Sequence, residues 1–126
     1  MIPADWTAHR RAHDREPIGW IRPQGDLWVA VDVLGRDVSE PREWLDAEEA
    51  LEAVGLRFLA DVWTLETDAG PRRVRIVEAT PGSVVVHTDN LNAIDVPTTR
   101  YTLPWPAPAT LRPWRPGDPD GSELFG

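Results

Sequence analysis

The residues of this chain whose types and spacing could do chemistry are three histidines, one aspartate in an apolar run and a set of arginines. His9 and His13 stand four apart, so a helix would carry both imidazoles on one face, as metal ligation requires. A zinc site needs at least one further ligand, for which Asp5 and Asp14 are the only obvious local helpers, and Arg10 occupies the position where an HExxH-type site has Glu. Arg10, Arg11 and Arg15 would also repel a cation, so the sequence predicts no metal site.

Asp32 lies in Val29-Ala30-Val31-Asp32-Val33-Leu34, an apolar setting that can raise a carboxyl pKa or expose a nucleophile. A haloacid-dehalogenase-type phosphatase would carry a second Asp two residues on, where this chain has Leu34. No alternating series of strands and helices follows to build the parallel sheet that such chemistry uses. His87 is the one His within the predicted sheet, Ser83 sits four residues away on the same strand, and no GxSxG turn occurs, so no hydrolytic triad assembles. Phosphate-cradling GxGxxG and GxxxxGK[ST] loops are absent. With no Cys there is no disulfide, no thiolate zinc site and no cysteine nucleophile. The sequence therefore predicts no catalytic residue and no cofactor.

Features suited to binding are more numerous. Seven Trp stand against two Phe and one Tyr, and Trp is the side chain most enriched at binding hot spots. All 13 basic residues are Arg against 21 acidic residues, a net charge of −8 that disfavours nucleic acid and anionic lipid as partners. Arg72, Arg73, Arg75 and Arg100 could line a sheet face, but strand pairing assigns Arg73 to Glu66 as an ordinary exposed ion pair. Residues 36–54 hold two Arg against seven carboxylates, Glu48, Glu49 and Glu52 among them, a local charge of −5. Pro113, Pro116 and Pro119 recur every third residue around Trp114, a spacing compatible with a polyproline ligand and more simply read as an extended tail. There is no apolar stretch near the ~20 residues of a membrane span and no basic-then-apolar start, so a cytoplasmic protein is expected.

The elements that must position these groups follow from hydrophobic period and turn residues. The 126 residues suit one domain: a leader over 1–17, with Trp6 to Arg15 a short helix or partly ordered, a β-rich body over 18–103, and a Pro-rich tail over 104–126 that holds six of the 13 prolines. A hairpin turning at Pro23-Gln24-Gly25 sets Arg22 opposite Asp26 and Trp20 opposite Trp28. Its apolar row, Ile21, Leu27, Val29, Val31 and Val33, faces the core, leaving Trp20, Trp28, Ala30 and Asp32 on the other side. Asp46-Ala47-Glu48-Glu49 reads as a capping box opening a helix over 46–54, with Leu45 and Ala50 as its staple and Gly55 as its stop. A meander follows: a strand around 56–65, a loop at 68–71, strands over 72–79 and 83–88, a turn at Asp89-Asn90-Leu91-Asn92, and a last strand over 98–103. In its first hairpin Leu65 pairs with Val74 and Trp63 with Ile76. Trp105 is expected to tuck against the body.

The predicted fold is α+β and mainly β: an antiparallel five- to six-stranded meander or partly open small barrel, with one helix after the second strand. The predicted function is that of a small acidic binding or accessory protein, monomer or weak dimer, rather than an enzyme. It would meet a protein partner, basic if electrostatics guide it, through Trp20, Trp28, Asp32, Glu48, Glu49 and Glu52. The alternative is a small-molecule-binding barrel or minor hydrolytic enzyme with a pocket around Asp32 and His87.

Overall fold

The computed structural model describes residues 2–12, 14–55, 57–91, 93 and 95–122. Among them the chain is α+β and mainly β, with two antiparallel sheets and one helix, and neither sheet closes into a barrel. The first sheet runs β1 (Thr7–Arg10), β2 (Pro17–Gln24) and β3 (Leu27–Asp32) in that spatial order. After it come α1 (Trp44–Val54) and a short 3₁₀ turn over Arg57–Leu59. The second sheet is built from β4 (Trp63–Thr67), β5 (Gly70–Thr80), β6 (Ser83–Thr88), β7 (Arg100–Leu103) and β8 (Leu111–Pro113), in the order β7-β6-β5-β4-β8.

Turn length decides the register of the first hairpin. Gly25, at φ 62°, opens a two-residue turn of the kind whose twist matches the flanking strands, so Gln24 pairs with Leu27. Arg22 then faces Val29 rather than Asp26, a shift of three, and an odd shift sends side chains to opposite faces. Trp20 pairs with Val31, and Trp28 pairs with Pro23 on the other side of the ribbon. The expected one-sided apolar row is therefore split: Ile21 and Ala30 pack under α1 with Ile18, Ala47 and Leu51, while Val29 and Val31 are buried on the reverse face. In the second hairpin Leu65 pairs with Arg72 rather than Val74, a shift of two. An even shift preserves faces, so Trp63, Leu65, Val74 and Ile76 still share one core with Val84, Val86 and Leu111.

Helix α1 starts before the expected capping box. Trp28 and Arg42 exchange both backbone hydrogen bonds at 2.8 Å, which delivers the chain to the helix start. Glu43 is the N-cap and makes no side-chain cap hydrogen bond, while Asp46 lies in the first turn, where its charge favours the helix dipole. Gly55 donates its N–H to Leu51 O at 2.9 Å and ends the helix as expected. Leu45 is no staple, being 70% exposed.

The expected leader and the Pro-rich segment each supply a strand to a sheet. Residues 7–10, expected as helix or loose leader, form strand β1 on the edge beside β2. Within the Pro-rich segment Leu111–Pro113 forms β8 against β4, an edge position where proline costs no ladder hydrogen bond. The strand expected around 56–65 begins only at Trp63, with the 3₁₀ turn ahead of it. His13, the second member of the His9 and His13 spacing, Leu56, the expected strand start, and Asn92, part of the expected turn, lie outside the described residues.

The two sheets are joined at the exit from β3. Leu34, 1% exposed, belongs to the core of the second sheet. Ala107 N–H donates to Leu34 O at 2.8 Å, and Trp105 Nε1 donates to Val33 O at 2.9 Å. The Arg36 guanidinium reaches the carbonyls of Pro108 and Leu111. Among the described residues no helix is long and apolar enough to cross a membrane.

Candidate functional sites

Three places bring together the residues singled out above. The first is the outer face of α1. Residues 45, 48, 49 and 52 fall at helical spacing on the side away from buried Ala47 and Leu51. That face presents Leu45, Glu48, Glu49 and Glu52, and α1 contains no basic residue. His9 of β1 lies against it, with Nδ1 3.4 Å from Glu48 and Nε2 3.2 Å from Glu52, which ties the edge strand to the helix. Trp28 meets Trp44 edge to face at 4.8 Å beneath the start of the helix. Trp20 lies elsewhere, between Trp6 at 6.5 Å and Trp105 at 5.6 Å. The Trp20 and Trp28 pair is thus separated, and each indole is half-buried in its own aromatic cluster.

The second place is a cavity of about 210 Å³ where the end of α1 meets both sheets. Asp32 and Val38 contribute from the first sheet and its exit, Val54 and Gly55 from the helix end, and Arg57, Phe58 and Asp61 from the 3₁₀ turn. Trp63 of β4 and Pro113 of β8 complete the wall. Asp32 Oδ1 accepts the N–H groups of Leu34 at 2.9 Å and Arg36 at 3.1 Å, which fixes the carboxylate. Burial raises its pKa above the ordinary value of 3.8, opposed by those two hydrogen bonds and by the Arg36 charge. The wall is held too, since Trp63 Nε1 donates to Phe58 O at 3.0 Å. Asp32 was singled out by its apolar run; Arg57, Phe58 and Asp61 were not, because their approach to Asp32 is made by tertiary folding.

The third is a shallow groove of about 630 Å³ on the outer face of the second sheet, lined by Leu59, Arg75, Val77, His87, Asp89 and Leu91 among others. His87 Nδ1 lies 2.9 Å from Thr88 O, a contact that holds the ring by its own strand. Asp89 takes Arg73 at 2.8 Å and Arg75 at 3.5 Å. Burial pushes its carboxyl up, but the Arg73 hydrogen bond, the Leu91 N–H and the two guanidinium charges outweigh that and lower it overall. Arg73 is therefore not the partner of Glu66, which binds Arg112 at 2.8 Å. Asp32 and His87 line different depressions.

The Pro-rich end is organised around Asp118. Its carboxylate accepts Arg112 at 2.6 and 2.8 Å, Thr64 Oγ1 at 3.0 Å and the Arg115 N–H at 3.0 Å. The Arg112 hydrogen bonds above all hold its pKa well below the usual carboxylate range. Trp114 Nε1 donates to Pro119 O at 2.8 Å, closing the segment on itself rather than leaving it extended. Among the described residues no three metal-ligating side chains converge. Comparison with protein-family models, with curated proteins and with solved structures finds no match for this chain.

Proposed function

We propose that this chain is a cytoplasmic binding protein whose α1 outer face receives a basic protein partner. One observation carries the reading: Leu45, the most exposed large apolar side chain among the described residues, stands on a helix face otherwise made of carboxylates. Interfaces of this kind combine an apolar anchor, which supplies affinity, with a charged rim, which supplies approach rate and choice of partner. The excess of acid over the whole chain, −8, reinforces the same preference for positive charge. A chain without Cys also needs no oxidising compartment.

The test is capture of partners from the native cell followed by binding of the purified pair. Leu45→Ser and Glu49→Arg are expected to weaken the complex by about tenfold or more each, and added salt to weaken it further. Both positions are exposed, so the fold should be unaffected, unlike Trp28→Ala, which would remove the partner of Trp44. A complex indifferent to both substitutions and to salt would remove the proposal.

A further inference from the structure

The wall of the cavity at the end of α1 holds two carboxylates against one guanidinium, that of Arg57. Asp32 and Asp61 line it, and the helix terminus that forms part of its wall has no basic residue in its last turn. A helix C-terminus carries roughly half a negative charge on its free carbonyls, so three sources of negative potential meet there. Neither Asp61 nor Arg57 has an ion-pair partner among the described residues, and both side chains belong to exposed residues where water screens them. Asp32 is the deeper charge, screened less; the Arg36 charge acts on it, but the Arg36 guanidinium spends its hydrogen bonds on the carbonyls of Pro108 and Leu111. The rest of the wall is apolar or aromatic: Val38, Val54, Phe58, Trp63 and Pro113.

We propose that this cavity is a binding site for a small organic ammonium with an apolar body about the size of one aromatic ring. The charged end would pair with Asp32 and Asp61, and the body would lie on Phe58 and Trp63, whose ring faces attract cations as well as apolar groups. Size selects a small ligand, because 210 Å³ is below the range of about 300 Å³ upward that encloses drug-sized molecules. An anion would meet two carboxylates and the negative end of a helix against the single guanidinium of Arg57. A neutral molecule would shield Asp32 further from water without adding a charge to pair with it, which is the costly outcome for a carboxylate. Burial already lifts the Asp32 carboxyl above its ordinary value, so a cation arriving there relieves an existing penalty. The site is separate from the outer face of α1 and does not depend on the partner proposed for that face.

The experiment titrates phenethylammonium into the full-length protein labelled for amide NMR, with phenethyl alcohol as the uncharged control. Expected are saturable shifts at the amides of Gly55, Phe58 and Asp61 and at the Trp63 indole, with the alcohol binding about tenfold more weakly or worse. Asp32→Asn and Asp61→Asn should each cost about tenfold in affinity, whereas Leu45→Ser should leave it unchanged. Asn at position 32 still accepts the Leu34 and Arg36 N–H groups, so the turn is kept, and unchanged amide positions elsewhere verify this. No saturable shift, equal affinity for amine and alcohol, or full binding by both Asn variants would overturn the proposal.

Discussion

Asp118 shows how much one carboxylate can organise at the residue scale. It serves the edge strand through Arg112, the strand beneath through Thr64 and the following turn through the Arg115 N–H. Its pKa is lowered on folding from an ordinary value of 3.8, so its stabilising contribution is complete above that value and is lost as pH falls through the native one. Asp118→Asn is accordingly expected to flatten the acid limb of a stability–pH profile and to speed exchange of the Arg115 amide; an unchanged acid limb would show that the cluster is not coupled to folding. Asp32 has the opposite sign. Its raised pKa makes its ionised form a cost to the fold that is relieved as pH falls through the native value, so Asp32→Asn should stabilise the protein modestly above that pH. Gly19 is a third decisive residue. A Cβ there would lie 2.0 Å from Val31 O at a φ of 143°, so Gly19→Ala should cost more than about 4 kcal/mol in chemical denaturation.

Among the elements, α1 has two sides with separable consequences. Leu51 is fully buried against Ile18, Ile21 and Ala30, and Leu51→Ala should destabilise the protein by about 2–5 kcal/mol. Leu45→Ser, on the opposite side, should change stability by no more than about 0.5 kcal/mol, and calorimetry distinguishes the two. Strand β1 depends on its partners rather than on its own apolar content: its residues are mostly exposed, and His9 ties it to the helix. His9→Ala should therefore raise amide exchange in residues 7–10 while leaving global stability within about 1 kcal/mol. The helix was legible because its stop at Gly55 and its buried Leu51 are local signals. The hairpin pairings were less so, since one residue more or fewer in a turn costs little locally yet decides which face every side chain takes. That difference separated Trp20 from Trp28, while an even slip left Leu65 and Val74 in one core.

For the whole molecule, the exit from β3 is the hinge of the architecture. Leu34, Trp105, Ala107 and Leu111 bind the two sheets through residues of the Pro-rich segment. Deleting residues 104–126 should abolish folding of the remainder, seen as loss of the cooperative thermal transition, because Leu111 is fully buried and strand β4 would lose its outer partner. Survival of a cooperative fold without that segment would mean that the second sheet needs only its meander. By itself the sequence determined the acidic surface, the mainly β class, the position of α1 and the strands on either side of Pro81 and Gly82. These are properties of composition and local period, which the chain carries wherever it folds. Only the tertiary structure decided that residues 7–10 and 111–113 become strands β1 and β8, that Asp32 and His87 line different depressions, and that Asp32 shares a cavity with Arg57, Phe58 and Asp61. Each depends on backbone pairing or packing between segments far apart in sequence, where hydrogen-bond partners and burial are set by the other segment rather than by the residues themselves.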